Sequence, residues 1–557
     1  MDKKSILALS FVFVSGAFLR LLNLQYFHAL DTDEAIYAQI VFAMTRGQTL
    51  YRTVGFVHPP IYPALEYPFV MINPTLFTVR IFNIALGLAI IYVIFHLCKM
   101  IYTFKVALLA SSIYALYPVA IYSNKLALIE NTLTFFVTLA FFFFAMYVKQ
   151  RNQKYLYLSG LFAGLSFMTK YTAALFIVAL VLFAILRVFK RKFVPLLSFM
   201  ASMTVFPVLV AILLMTSNVW PFFYVEAVGW QLIRFGMPLS EKFWFFGLII
   251  ASLSPLILVA ILNFRRNFGD WRGEMMMSWF FVPLIILAFS GIVFLHYGFS
   301  LLPPLAILAA LSIDRYVPSK IENPIFNRKR VTKIATALLT MILILVVVGR
   351  FANLTYGMQW FFIENVLGTE RENRYAQAQT DVSSYIMNVT SANDKIWSTD
   401  ASFGFLSQRL LVTPNSEYWK FQGFFQDVWG YGWSPQDYRG PIPGFPNGLF
   451  TIQNILEAWK AEKPKLLLVI RTSWVDYFIW NGIYNSDHKE AGLADYITSN
   501  YQIASKFYNN TIEVWIQNRP IESTLVRQCV KAPAGLFLEE NTAMIWLKHS
   551  LTKTSAP

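Results

Sequence analysis

The chain has 557 residues, of which 57% are hydrophobic and only 14% are charged, and its formal net charge is +15. A soluble domain is closer to one-quarter charged, so this composition excludes an ordinary soluble enzyme. The basic excess lies in residues 1–349, with 28 Lys and Arg against 12 Asp and Glu, whereas residues 350–557 carry 18 against 19. A basic excess confined to the apolar part of the chain indicates membrane topology and argues against a nucleic-acid partner.

The apolar residues of the first part form runs long enough to cross about 30 Å of hydrocarbon. We predict eleven spans, at about residues 5–24, 78–98, 105–123, 131–148, 155–170, 172–188, 194–215, 243–263, 276–295, 298–313 and 332–350. Alternate links are strongly basic, namely 149–154, 187–192, 265–272 and 315–333. The positive-inside rule places these links in the cytoplasm, which puts the N-terminus inside and the remaining links outside.

The long apolar runs end near Arg350, which predicts a transmembrane domain over residues 1–350 and an extracytoplasmic domain over 351–557. The second part mixes short β-like runs with helical ones, and this mixture predicts a small α/β domain. The β-like runs are Lys395–Ser398, Leu410–Thr413, Lys465–Ile470 and Ile512–Ile516, and the helical runs are Ile452–Glu462 and Ala491–Ser499.

Carboxylates are concentrated in the first predicted outer link, at Asp31, Asp33 and Glu34. The segment from about 32 to 45 is predicted to be a helix, with Asp31 or Thr32 as its N-cap. Tyr37 shares a helix face with Asp33 and with Glu34. A solvated, acid-rich helix start would explain these residues by themselves.

Other predicted outer links add charged and aromatic side chains, at His58, Arg80, Lys125, Glu130, Lys170, Arg234, His296 and Tyr297. Singly, each is explained as an interface anchor or a loop residue. Together they bring cations and carboxylates to one side of the membrane. A lipid-phosphate sugar donor needs that combination, because cations stabilise the departing phosphate and a carboxylate takes the proton of the acceptor.

The sequence has no P-loop, no G-x-G-x-x-G after a strand and no His/Cys metal spacing.

Several motifs resemble those of the GT-C glycosyltransferases, in particular the protein O-mannosyltransferase-like group and its relatives that transfer aminoarabinose to lipid A. They are Asp33-Glu34-x-x-Tyr37, His58-Pro59-Pro60, Arg80-x-x-x-x-Ala85-Leu86-Gly87, Glu130-x-x-Leu133, Gly164-Leu165-x-x-x-Thr169-Lys170, and His296-Tyr297 followed by Leu302-Pro303-Pro304. Their order and spacing agree with the family across about residues 20–312.

The resemblance implies a polytopic GT-C fold and an inverting transfer with Asp33 as catalytic base. It further implies a phosphate held by Arg80, with His58 and Lys170, and an acceptor or Asp33 itself positioned by Glu34 and Glu130. The expected donor is a polyprenyl- or dolichyl-phosphate monosaccharide, with mannose or a related hexose as the sugar. The expected acceptor is a protein or a lipid-linked glycan. No cofactor is required by the residues, and dependence on a divalent metal is left open.

Two departures prevent the acceptor from being carried over. Phe56 stands where the mannosyltransferases commonly have an Asp, and Val57-His58 stand where the aminoarabinose enzymes have Glu-Lys. Two alternatives are therefore kept. One is an oligosaccharyltransferase, whose Trp-Trp-Asp-Tyr-Gly motif is faintly echoed in Asp427–Trp433. The other is a transporter or flippase of lipid-linked sugar, which would need inverted repeats and charges near mid-membrane.

Overall fold

The computed structural model describes residues 3–24, 31–189, 193–229, 231, 237–316, 349–367, 370–413, 452–470, 483–484 and 492–518. Most of this part of the chain is helical. In the first part the helices are α1 Lys3–Leu21, α2 Thr32–Thr45, α3 Ile61–Ile72, α4 Leu76–Ile101, α5 Phe104–Leu116, α6 Pro118–Lys125, α7 Ile129–Gln150, α8 Gln153–Phe167, α9 Ala173–Phe183, α10 Phe193–Thr216, α11 Trp220–Phe223, α12 Leu239–Ile261, α13 Phe264–Asn267, α14 Trp271–Phe289 and α15 Leu302–Tyr316. Helix α9 continues as a π-helical segment, Ala184–Phe189, as does α11 over Tyr224–Gly229, and a 3-10 helix, Leu295–Leu301, precedes α15.

Ten of the eleven predicted spans fall on helical segments, and most of the eleventh lies outside the described residues. By length and composition, six helical segments of the described chain could cross a membrane, or seven if the bent pair α5–α6 is one span. Helix α1 and the α9 segment are apolar but shorter. The protein is thus a multi-pass helical membrane protein, and the count of eleven spans with the N-terminus inside stays a prediction.

Helices α5 and α6 are bent by 59° at Tyr117 and Pro118. Proline has no N–H, so Pro118 cannot donate to the carbonyl of Tyr114 one turn earlier. The Arg20 guanidinium of α1 supplies donors there instead, at 3.4 Å to Tyr114 O and 2.8 Å to Ala115 O. A buried cation beside the C-terminal carbonyls of α5 also suits the negative end of the helix dipole. Arg20 therefore stabilises the break that brings α6 toward the site.

Two short helices, α2 and α3, lie between α1 and α4 and are not among the candidate spans. The predicted helix at 32–45 is confirmed, and Asp31 is its N-cap. The capping box is complete, because the Asp31 side chain accepts from the Glu34 backbone N–H and the Glu34 side chain accepts from Asp31 N–H, while Asp33 N–H also donates to Asp31 Oδ1. This reciprocal cap fixes the first turn of α2, which carries both carboxylates.

The later part of the described chain contains a four-stranded sheet with the order β1-β2-β4-β3. Its elements are α16 Gly349–Leu367, α17 Glu370–Val389, β1 Ile396–Trp397, α18 Ala401–Ser407, α19 Ile452–Glu462, β2 Leu466–Ile470, α20 Leu493–Asn500, β3 Tyr501–Phe507 and β4 Ile512–Gln517. β1 runs parallel to β2, whereas β4 is antiparallel to both β2 and β3. Three of the four predicted β runs fall on strands, and the division of the chain at residue 350 stays a prediction.

The run at Leu410–Thr413 is not a strand of this sheet and forms only an isolated bridge between Leu411 and Ile396. The same region packs against α2. The Gln39 side chain donates to Arg409 O at 3.0 Å, and the rings of Phe42 and Phe405 meet edge to face. The helix with the carboxylates at its start is thus held along its length by the later part of the chain.

Candidate active site

Asp33 lies in the first turn of α2, where the helix dipole favours a negative charge. Its side chain is 22% exposed, whereas Glu34 and Glu130 are almost completely buried. Of these three carboxylates, only that of Asp33 is accessible to a substrate. The role of catalytic base assigned to Asp33 is compatible with this exposure.

Four chain segments meet at Asp33. Glu130 lies in the first turn of α7 and forms an ion pair with Lys170, which follows α8. His296, on the 3-10 helix before α15, lies between the two carboxylates, with Nδ1 3.8 Å from Asp33 Oδ2 and Nε2 3.4 Å from Glu130 Oε1. Four predicted site residues, separated by up to 263 positions in the sequence, therefore form one cluster of two carboxylates, an ammonium and an imidazole.

Lys170 remains a cation in this cluster. Its ammonium is paired with the Glu130 carboxylate, and the Asp33 carboxylate lies in the same cluster. The Tyr297 ring adds a cation–π contact, with Lys170 Nζ 4.9 Å from the ring centroid. Tyr297 thus belongs to the site by its contact with Lys170.

Glu34 and Arg80 form a second, adjacent ion pair with no exposed surface. Arg80 Nε and Nη2 donate to the two carboxylate oxygens of Glu34 at 2.8 Å each. Ala127 N–H, between α6 and α7, donates to Glu34 Oε1 at 2.9 Å. The resemblance implied that Glu34 positions the acceptor or the catalytic base Asp33 and that Arg80 holds the phosphate, but in this structure neither Glu34 nor Arg80 reaches solvent.

His58 packs among aromatic rings beside α2. Its ring centroid lies 6.2 Å from that of Tyr37 and 5.6 Å from that of Phe56. The backbone of this turn is held from the segment after α10, because Phe56 N–H donates to Glu226 Oε2 at 3.0 Å and the Gln231 side chain donates to Val57 O at 3.0 Å. Phe56 therefore occupies a packing position, where the mannosyltransferase motif has a carboxylate.

The remaining predicted residues have other surroundings. Lys125 is buried and donates to Leu22 O at 2.6 Å, so it contacts the end of α1. Asp31 acts as the cap of α2. Arg234 lies outside the described residues.

A buried polar network behind the site was not predicted. The Asn124 side chain donates to Asn131 Oδ1 at 2.8 Å, and the Asn131 side chain donates to Asn83 Oδ1 at 3.2 Å. Asn83 in turn lies 3.5 Å from the hydroxyl of Tyr62, which contacts Glu66. The sequence feature that could have revealed this network is the number of polar residues inside apolar helices. Such residues are retained there only when their side chains are hydrogen-bonded.

In the described part of the chain, no group of three or more His, Cys, Asp or Glu side chains is arranged to hold a metal ion. Asp33, His296 and Glu130 are instead arranged in a row, with the imidazole between the carboxylates. The chemistry that this row offers directly is proton transfer and electrostatic stabilisation.

Comparison with known proteins gives a family match over part of the chain. Residues 57–215 match the model of the family described as dolichyl-phosphate-mannose-protein mannosyltransferase. No curated protein matches the chain by sequence.

Solved structures match over most of the chain. ArnT from Cupriavidus metallidurans in the apo state is 15% identical with a TM-score of 0.60, covering 92% of this chain and 97% of that one. The same protein bound to undecaprenyl phosphate is 15% identical with a TM-score of 0.59, covering 92% and 98%. The Archaeoglobus fulgidus oligosaccharyltransferase tethered with an acceptor peptide is 11% identical with a TM-score of 0.51, covering 93% and 74%.

These identities are low enough that the likeness is one of fold. The fold is that of the GT-C glycosyltransferases, as the sequence motifs predicted. The match to a mannosyltransferase family model agrees with this fold. For this chain the comparisons therefore show the GT-C fold, together with a family match that is confined to residues 57–215.

Proposed function

We propose that this protein transfers a monosaccharide from a polyprenyl- or dolichyl-phosphate donor to an acceptor on the outer face of the membrane, with inversion at the anomeric carbon. The observation that carries the proposal is the cluster of Asp33, Glu130, Lys170 and His296, in which Asp33 is the exposed carboxylate. Undecaprenyl phosphate, bound by the ArnT of similar fold, is a lipid phosphate of the proposed class.

In the proposed step, Asp33 takes the proton of an acceptor hydroxyl or amine as that group attacks the anomeric carbon. A bond forms between the acceptor and the anomeric carbon, while the bond from that carbon to the phosphate oxygen breaks. The lipid phosphate leaves with the electron pair. Lys170 and His296 stabilise the added negative charge, and Glu130 holds both of these donors in place.

The buried pair Glu34–Arg80 receives a positioning role in this proposal. Because Glu34 follows Asp33 in the capped first turn of α2, fixing the Glu34 carboxylate also fixes the backbone that carries Asp33. His58 and Tyr37 form one aromatic wall beside that turn. Arg234 stays a residue proposed to contact the substrate, whereas Lys125, expected to do the same, is buried against the end of α1.

The sugar is proposed to be mannose or a related hexose, which rests on the family match over residues 57–215. The acceptor is proposed to be a protein or a lipid-linked glycan. Purified protein should be incubated with a panel of radiolabelled lipid-phosphate monosaccharides and membrane extract. Release of lipid phosphate together with a labelled product supports the proposal. Binding of every donor without turnover would contradict it.

An oligosaccharyltransferase is the second candidate, because the fold also resembles that of the Archaeoglobus fulgidus enzyme. The segment Asp427–Trp433, which suggested this alternative, lies outside the described residues. The same panel decides between the two when it includes a lipid-linked oligosaccharide and a sequon peptide. Movement of the labelled lipid across a vesicle membrane without a transferred product would instead favour a flippase.

A further inference from the structure

Glu66 is a buried carboxyl that the proposed step does not use. It lies on α3, has no exposed surface, and its Oε1 is 3.0 Å from the hydroxyl of Tyr62. Among the described residues, its other oxygen, Oε2, has no hydrogen-bond partner. An ionised carboxylate in such a place would leave a charged oxygen both desolvated and unbonded, which is costly.

The contacts of Tyr62 indicate where a proton resides. The Tyr62 hydroxyl has one proton but two oxygen neighbours at 3.0 Å, Glu66 Oε1 and the backbone carbonyl of Ala127. A carbonyl oxygen only accepts, so the contact with Ala127 is a hydrogen bond only when Tyr62 donates to it. The contact between Tyr62 and Glu66 is then a hydrogen bond only when Glu66 is protonated and donates to the phenol oxygen.

The peptide group of Ala127 connects this pair to the candidate active site. Its carbonyl accepts from Tyr62, and its N–H donates to Glu34 Oε1 at 2.9 Å. Glu34 binds Arg80 and follows Asp33 in the first turn of α2. A continuous series of hydrogen bonds thus runs from Glu66 to the helix turn that carries the proposed base.

We propose that Glu66 is a positioning residue which, as a protonated carboxyl, orients the Tyr62 hydroxyl toward Ala127 and thereby fixes the Glu34 end of α2. It touches neither donor nor acceptor. Its effect on transfer reaches Asp33 through the Ala127 peptide and the Glu34 carboxylate.

The surroundings of Glu66 favour the neutral acid. Burial raises its pKa to about 8, a Tyr62 hydroxyl that donated to the ionised form would lower the pKa, and the negative charge of Glu34 on α2 raises it. On α4, Arg80 is committed to Glu34, and Asn83 is neutral. Glu66 is therefore expected to release its proton only as the pH rises through about 8.

Ionisation of Glu66 would reverse the direction of its hydrogen bond with Tyr62. A carboxylate is a stronger acceptor than a backbone carbonyl, so Tyr62 would donate to Glu66 and release Ala127 O. Glu66→Gln removes this switch, because the Gln amide N–H donates to the phenol oxygen at every pH. The variant is nearly isosteric, so it should fold.

The first test is infrared spectroscopy of the purified full-length protein in detergent. The wild type should show a protonated-carboxyl band at neutral pH that fades as the pH rises through about 8, and Glu66→Gln should lack that band. The matched control Glu457→Gln, which removes an exposed carboxylate, should leave the band unchanged. Identical bands in wild type and Glu66→Gln would overturn the proposal, whatever reaction the protein catalyses.

The second test is thermal stability. The folded chain keeps a proton that the unfolded chain, with the ordinary carboxyl pKa of 4.5, releases, so the wild type loses stability between about pH 4.5 and about pH 8. Glu66→Gln removes that loss. The melting temperature of Glu66→Gln minus that of the wild type should therefore increase with pH across this range. A difference that is constant with pH would contradict a protonated Glu66.

The third test uses the pH profile of kcat, and only this test rests on the proposed transferase activity. One pH unit above the pKa, roughly a tenth of the wild-type protein would still hold the proton, so kcat should fall about tenfold. Glu66→Gln should keep its kcat there. Equal alkaline losses in both proteins would show that Glu66 is only a packing residue. Absence of transfer at every pH would refute the proposed function, while the other two tests would still decide the state of Glu66.

Discussion

The Glu34 carboxylate and the Arg80 guanidinium form a bidentate ion pair in which neither side chain is exposed. The pair joins α2, which carries Asp33, to α4. Removing one partner from a buried pair leaves an uncompensated charge, which costs about 3–5 kcal/mol. This relationship gives the first prediction.

Arg80→Gln should lower the melting temperature of the protein in detergent by many degrees and reduce its yield, because Glu34 would lose its bidentate partner in a buried site. The double variant Glu34→Gln with Arg80→Gln should recover part of that loss. Lys395→Gln, which breaks the partly exposed pair with Glu462, is the control and should change stability by about 1 kcal/mol or less. A melting temperature for Arg80→Gln equal to that of the control would show that the buried pair does not stabilise the fold.

Lys170→Met should reduce kcat/KM for the lipid-phosphate donor by on the order of 10²-fold, because it removes a donor that is proposed to bind the phosphate. Binding of the free lipid phosphate, measured by calorimetry, should weaken in parallel. Since the variant also leaves Glu130 buried without its cation, Lys170→Met combined with Glu130→Gln separates the two effects. The double variant should recover stability without recovering donor binding, and tight binding of lipid phosphate in it would remove Lys170 from the phosphate site.

Gly87→Ala tests the polar network behind the site. A Cβ at Gly87 would overlap the side-chain oxygen of Asn124, so the Asn124 side chain would have to leave its bond to Asn131. Overpacking of this kind costs about 1–3 kcal/mol. Gly247→Ala, where a Cβ would meet nothing within 4 Å, is the matched control and should be neutral or slightly stabilising. Equal melting temperatures for the two variants would mean that α4 and Asn124 are not packed as described.

Membrane orientation is tested with single introduced cysteines. The background carries Cys529→Ser, and Cys98 can stay because it is buried and does not react with the reagent. A reagent that does not cross the membrane should label a cysteine placed at Asn510, in the predicted outer part, in intact cells. It should label one at Gln150, in a predicted cytoplasmic link, only after the cells are opened. Both positions are exposed in the fold, so access depends on the membrane alone. The reverse labelling pattern would place the candidate active site on the cytoplasmic side.

Much of the site could be predicted because local chemistry determines it. The acid-rich turn after Leu30 has its own N-cap, so the limits of α2 and the place of Asp33 follow from neighbouring residues. The approach of Asp33, Glu130, Lys170 and His296 followed from motif order and from the expectation that all lie on the same side of the membrane.

The pairing within the site could not be predicted, because it depends on tertiary distances. Glu34 and Asp33 are adjacent acids in the sequence, yet the turn of the helix aims one at Arg80 in the interior and leaves the other accessible. No motif singled out Glu66, and only its contact with Tyr62 distinguishes it from other acids. The strand β3 was missed because it has no run of buried residues, and its pairing with β4 defines it.

The most direct test of the central claim is turnover of a polyprenyl-phosphate sugar by Asp33→Asn. Removing a general base should lower kcat by about 10² to 10⁴-fold, while donor binding is retained. Asp31→Asn is the matched control, because Asn caps helices as well as Asp does, and it should keep most of its activity. The account predicts a large loss of kcat in Asp33→Asn alone. Wild-type kcat in Asp33→Asn would contradict the role of Asp33 as the base that activates the acceptor.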